Sequence, residues 1–281
     1  GGMLNFPSNP FKLFISKLGF VGLMLMLSTS CGDYNKTIKS SDYPAKRKLA
    51  VELYEKGKYA KALPLFDELF GVIRGSSTAE EIHYYLAYCH YGVKDMLLAS
   101  YYFDSFVQNF PKSAKREEAY FMSALCLYKE SPRFNLDQTS TKKAIDKLQA
   151  FTDYFPESSR VEEATKLIEE LRSKLETKLF AQGMLHYDRM EYTSAITTFE
   201  VLMADFPDTK RREQVYVLIL QAQKKYADKS IRSKRKERYE EVLKYYTKFA
   251  SAFRNTDLAA KAILIKTEAE KQRDAYATQE N

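Results

Sequence analysis

Bulky apolar residues recur along this chain at a fixed helical spacing, and a proline repeatedly closes the pattern. Counting from Ala99, Phe103, Phe106 and Phe110 fall at +4, +7 and +11, and Pro111 follows at +12. Ala144, Leu148, Phe151, Phe155 and Pro156 repeat the spacing, as do Ala195, Phe199, Leu202, Phe206 and Pro207. Two weaker copies flank these: Ala62, Phe66, Leu69 and Ile73 lack the proline, and Val242, Tyr246, Phe249 and Phe253 run into Arg254. Offsets of 0, 4, 7 and 11 mark one stripe of a 3.6-residue helix. Proline just past the last anchor stops that helix, because it cannot donate to the ladder and disfavours α geometry in the residue before it.

Such a stripe needs a partner helix to bury it. Twelve positions before three of the zero positions stands a small residue, Ala50, Ala87 or Gly183, which lets two helices approach closely. A small residue in a first helix, aromatic anchors in a second and a closing proline resemble the tetratricopeptide pattern. The chain has no tryptophan, and its closing anchors are 37, 45, 51 and 47 residues apart, against about 34 in the ideal repeat. The resemblance implies an all-α protein, a right-handed α-solenoid of about five divergent helical hairpins. The expected hairpins cover about 44–75, 76–112, 113–157, 158–208 and 209–254, with a capping helix at 255–277. In such an array each unit touches only its neighbours. Ten glycines and eight prolines are too few for a β-sandwich, and no long stretch alternates with period two.

The amino terminus reads differently. Lys12 and Lys17 precede an apolar run from Leu18 to Leu27, and Ser28-Thr29-Ser30-Cys31-Gly32 follows. A basic stretch, a short apolar stretch and small residues spell a signal peptide, and ten apolar residues fall short of the roughly 20 a membrane span needs. An ordinary secretory signal or an uncleaved anchor fits the same features. The cysteine after small residues is similar to a bacterial lipobox, with Ser28 where leucine is usual. This implies a signal peptide at 1–30, cleavage before Cys31 and its acylation (palmitate among the chains), which would hold the protein at a membrane surface. Gly32, not an aspartate, stands directly after Cys31, so the outer membrane is the expected address. Residues 31–43 are polar and mixed, as a tether would be, and Pro44 suits a first helical turn.

Composition sharpens two regions. The second repeat carries Tyr84, Tyr85, Tyr88, Tyr91, Tyr101, Tyr102, Phe103 and Phe106, more aromatics than one buried stripe can take. Either the surplus packs between repeats, or it forms a groove for an extended peptide, for which tyrosines supply area and a hydrogen bond at low entropy cost. Tyr84, Tyr85, Tyr88 and Tyr91 are the candidate substrate-binding residues. The last repeat carries Lys224, Lys225, Lys229, Arg232, Lys234, Arg235, Lys236 and Arg238 against only Asp228 and Glu237, in a chain of net charge +7. Arg232, Lys234, Arg235, Lys236 and Arg238 are the candidate partner-binding residues, suited to anionic lipid or an acidic protein surface, unless they merely solvate a linker. A polar interruption, 131–139, is either a plain insertion or a functional loop.

Enzymatic chemistry finds no foothold. His83, His90 and His186 are scattered without metal-ligand spacing; no Gly-rich phosphate loop and no Gly-x-Ser-x-Gly occur. No catalytic residue, metal or cofactor is expected. Cys89 and Cys126 occupy matching places in successive first helices. Stacked helices lie about 8–10 Å apart, whereas a disulfide needs Cα atoms within about 7 Å, so two buried free thiols are expected.

From Phe155-Pro156-Glu157-Ser158-Ser159 through Ala164-Thr165-Lys166 to Phe206-Pro207-Asp208-Thr209, the register resembles the BamD family, lipoproteins of the machine that assembles β-barrel proteins in the bacterial outer membrane. The likeness covers roughly 44–227 and departs at the basic segment and the last helices. It implies a non-enzymatic scaffold anchored to the outer membrane and facing the periplasm. Its carboxy-terminal half would dock on a BamA-like barrel subunit, and its amino-terminal repeats would help recognise unfolded barrel precursors. Nucleic acid is the wrong compartment for such a protein. A scaffold for another envelope task, such as secretion or cell-wall coordination, shares the same repeats; a glycan-capture lipoprotein would be longer and rich in tryptophan.

Overall fold

The computed structural model describes residues 34–73, 75, 77–254 and 256–277. Cys31 and the expected signal peptide lie outside the described residues. Among these the protein is all-α, with no strand. Helices follow in pairs: α1 (Tyr43–Glu55) and α2 (Tyr59–Val72), α3 (Ala79–Gly92) and α4 (Met96–Asn109), α5 (Arg116–Glu130) and α6 (Thr139–Tyr154). Then come α7 (Val161–Asp188) and α8 (Tyr192–Asp205), α9 (Arg212–Asp228) and α10 (Arg232–Phe249), and the single α11 (Thr256–Ala277). Two compact units result. Unit one takes the chain up to Glu130 with Asp146–Thr165; unit two takes Ser131–Ile145 with the chain from Lys166 onward.

The stripe residues are the core. In unit one Ala62, Phe66, Ala99, Phe103, Phe106, Leu148 and Phe151 are fully buried, and in unit two Ala144, Ala195, Phe199, Leu202 and Val242 are. The small residues do what their size allows. A Cβ on Gly183 would stand 2.4 Å from the Phe199 ring, and one on Gly92 2.2 Å from the Tyr59 ring, so only glycine lets α7 meet α8 and α3 meet α2 this closely.

The +11 anchor departs from the expectation. Helices α4 and α8 end one residue earlier, and Phe110 and Phe206 are their C-caps, with φ/ψ of −125°/63° and −126°/69°. Proline at the next position pushes its predecessor out of the α region, so the last anchor swings off the helix axis. The turn beyond each proline is built the same way three times. The backbone N–H of Ser113, Ser158 and Thr209 donates 3.0 Å to the carbonyl of Phe110, Phe155 and Phe206. The same hydroxyls accept from the N–H of Lys115, Arg160 and Arg211 at 3.0, 3.1 and 3.1 Å. Each hydroxyl then donates to a glutamate of the preceding first helix: Glu80, Glu117 and Glu176. The Phe-Pro-x-Ser/Thr phrase is therefore a turn that latches one hairpin to the start of the next.

The stretch expected as a tether is partly structured. Residues 34–39 are helical. Tyr34 and Ile38, one helical turn apart, pack on the unit-one core, and the Tyr34 hydroxyl donates 3.1 Å to the Lys61 carbonyl. A buried Lys46, 1% exposed, is held by Glu68 at 2.6 Å, which supplies the partner that a buried charge requires.

Candidate functional site

The four tyrosines of α3 turn their rings into helix contacts. Tyr85 meets Tyr54 at 4.6 Å and Phe66 at 5.4 Å; Tyr88 meets Phe103 at 4.9 Å and Tyr84 at 4.8 Å. The hydroxyls of Tyr84 and Tyr88 both donate to Glu118 of α5, while Lys115 and Lys129 sit over the Tyr84 and Tyr91 rings at 4.2 and 5.7 Å. Burial pushes the phenols of Tyr84, Tyr85 and Tyr88 above their ordinary range, so they remain neutral donors. All four rings are half-buried, and packing between hairpins accounts for their buried edges.

The open aromatic surface of unit one lies elsewhere. Phe70 and Ile73 at the end of α2, Ala79 and His83 of α3, and Tyr101, Ser105, Asn109 and Phe110 of α4 line a groove of about 670 Å³, within the size range of ligand sites. Tyr101 is 64% exposed, and Leu97 and Leu98, one turn before it, are 60% and 44% exposed. The offsets from 97 and 98 to 101 and 105 keep these residues on one face of α4. The groove wall is stiff: His83 meets Phe70 at 4.9 Å and Phe110 at 5.7 Å, and its Nε2–H donates 3.1 Å to the Tyr102 carbonyl. Burial holds the His83 pKa down to about 4, so the wall is uncharged at neutral pH. Asn109 Nδ2 donates 3.0 Å to Ser105 Oγ, leaving the Asn109 carbonyl oxygen to accept from a ligand. A groove of mixed polarity, with aromatic walls, an exposed phenol and an amide rim, can hold an extended peptide carrying aromatic side chains. Tyr101 stands in the clearest copy of the repeat at a non-anchor position, and that is the signal in the sequence for its exposure.

In unit two the basic run divides: Arg232 and Lys234 are exposed, whereas Arg235, Lys236 and Arg238 are half-buried. Arg235 donates from Nε to the Ser230 carbonyl at 2.8 Å, reaches the Tyr276 hydroxyl and lies over its ring at 5.4 Å. Arg238 donates to the Ser230 hydroxyl and lies 4.2 Å over Tyr226. Lys234 pairs with Glu237 at 2.8 Å, where both side chains are exposed; Arg232 and Lys236 also have partners. The 131–139 loop is ordered on α7. Buried Gln138 donates to the carbonyls of Arg133 and Leu136 at 2.7 and 3.0 Å, and Lys174 donates 2.7 Å to Ser131 Oγ. Burial holds the Lys174 pKa below its ordinary value.

Cys89 and Cys126 are buried and free, and burial pushes both thiols up to about 12, too high for thiolate chemistry. Among the described residues no group of three or more His, Cys, Asp or Glu could hold a metal, and no helix is long and apolar enough to cross a membrane.

Comparison with known proteins adds a family. The model of the family described as outer membrane lipoprotein, YfiO, matches residues 47–225. No curated protein matches the chain. Among solved structures, the TPR domain of P58(IPK) is similar at 14% identity and a TM-score of 0.40, over 88% of this chain and 63% of that one. The chain thus spans somewhat less than two thirds of that structure's length.

Proposed function

The chain belongs to the YfiO family of outer membrane lipoproteins, and we propose that it is a scaffold of the machinery that assembles β-barrel proteins in that membrane. Acylation of Cys31 would anchor it on the periplasmic side. Unit one would receive unfolded barrel precursors, and unit two would hold a BamA-like barrel-forming subunit. The observation that carries this reading is the open aromatic groove beside Tyr101 in a family member of the outer membrane. Barrel strands alternate apolar and polar positions and carry aromatic girdles, so an extended precursor offers aromatic side chains at the spacing of a strand. The groove supplies Phe70, Tyr101 and Phe110 to meet them. Tyr84, Tyr85, Tyr88 and Tyr91 would support that surface and offer only their half-exposed edges.

Affinity purification of the full chain from solubilised membranes tests the assignment. Recovery of a BamA-like barrel protein is expected. Recovery of a secretion motor, or of a TonB-type transporter alone, in its place would overturn it. The anchor is tested separately: Cys31→Ala should release the chain from the membrane fraction or leave an unprocessed precursor, and palmitate labelling that survives the substitution would contradict acylation at that residue.

A further inference from the structure

One edge of unit two combines two exposed apolar side chains with a concentration of positive charge. The α7–α8 turn holds Met190 at φ +62°, the left-handed position that closes the helix as Lys94 does after α3, and leaves it 60% exposed. The α9–α10 turn places Ile231 at the N-cap of α10, where Ser, Thr, Asp or Asn is favoured. It makes no side-chain cap and is 71% exposed, the highest value for a large apolar side chain among the described residues. The two turns meet: Lys229 Nζ lies 2.6 Å from Met190 Sδ and 5.5 Å over the Tyr192 ring. Residues 224–238 hold eight cations and two acids, a local net charge of +6 in a chain whose total is +7.

We propose that this turn edge, Met190 and its exposed neighbour Arg189 with Lys229 and Ile231, docks on the surface of an anionic phospholipid bilayer. The chemistry is that of peripheral membrane binding: single apolar tips enter about 5–10 Å to the headgroup boundary while cations stay with the phosphates. An acidic protein partner would supply the charge but would need a hollow for each tip, and Met190 and Ile231 project singly from turns instead of forming a continuous apolar face. Membership of an outer membrane family keeps a bilayer within reach. The inference is independent of which protein unit two holds, and it gives the basic corner a use although Arg235 and Arg238 serve the fold.

The chain has no tryptophan, so Ile231→Trp and Met190→Trp each create a single fluorescent reporter at an exposed site, and Leu264→Trp, on 70% exposed Leu264 of α11, serves as control. The full chain is purified from membranes, its helicity checked, and reconstituted in vesicles of phosphatidylcholine alone or with phosphatidylglycerol, brominated on the acyl chains. The reporters at 231 and 190 should shift to the blue and be quenched only where phosphatidylglycerol is present, and the control should not. Roughly 1 M salt, which shortens the screening length to about 3 Å, should abolish the difference. Lys229→Gln and Arg189→Gln should each lower the docked-to-undocked ratio about five-fold. Equal quenching in both vesicles, quenching of the control alike, or no quenching at all overturns the proposal. So does a photo-crosslinker at 231 that captures only polypeptide in native membranes, which would assign the edge to an acidic protein.

Discussion

The α3–α4 edge of unit one and the α9–α10 corner of unit two are made from the same hairpin, with aromatic rings beyond the buried stripe in both. In unit one the extra rings face other rings: Phe70, His83, Tyr102 and Phe106 meet edge to face, and Tyr101 is left open at the rim. At the corner of unit two three rings lie under cations, as Tyr84 and Tyr91 also do in unit one. Lys225 covers Tyr187, Arg238 covers Tyr226 and Arg235 covers Tyr276, at 5.3, 4.2 and 5.4 Å. The comparison teaches that the anchor positions fix the hairpin while the positions between them decide the surface, an open groove with aromatic walls in one unit and a concentration of basic side chains in the other. Burial of the stripe is common to both; chemistry is not.

The largest effects should strike the shared part equally. Phe103→Ala in unit one and Phe199→Ala in unit two, both fully buried, should each cost about 3–5 kcal/mol of stability in denaturant titration. A large cost in only one of them would break the claim that both units use one stripe. A difference between the units should then appear with pH. His83 is 2% exposed with its pKa held down to about 4 against 6.5 in the unfolded chain. The unfolded state therefore binds the extra proton first, and stability is lost as pH falls from about 6.5 towards 4, by up to about 3 kcal/mol. Denaturation midpoints at pH 7 and pH 4.5 should show an acid loss that His83→Phe reduces. A close-approach test comes next: Gly183→Ala, which drives a methyl into the Phe199 ring, should cost about 1–3 kcal/mol by thermal melting. Smaller again, Thr209→Val and Ser113→Ala, which remove the latch hydroxyls facing Glu176 and Glu80, should each cost about 1–2 kcal/mol. Unequal losses there would show that the turn is not the same device in the two units. Smallest of all, Tyr101→Ala should change stability by less than about 0.5 kcal/mol, as an exposed position does.

The fold class was legible because a stripe at 0, 4, 7 and 11 with a closing proline admits little besides paired helices. The proline also carried information that the stripe hid. Phe110 and Phe206 read as helical anchors but are caps, because the residue before proline leaves the α region and only the backbone angles reveal it. At the candidate groove, composition pointed to unit one but to other rings. Tyr84, Tyr88 and Tyr91 recur at helical spacing, and nothing in a single sequence tells whether that face is open or covered by the next hairpin. Glu118, 34 residues after Tyr84, is what engages its hydroxyl. The charge of residues 224–238 was legible at once. That Arg235 would turn to Tyr276, 41 residues onward, was not, because it depends on where α11 returns.

The central claim, that unit one holds extended barrel precursors in the groove at Tyr101, is tested most directly by a genetically encoded photo-crosslinker at position 101 in cells synthesising a barrel protein. Position 154, whose Tyr154 is 67% exposed in the same unit, serves as reference. The account predicts adducts to unfolded barrel precursor at 101, centred on its aromatic-rich segments, and few at 154. Precursor adducts absent from 101, or found only from exposed sites of unit two such as Val201, would contradict it.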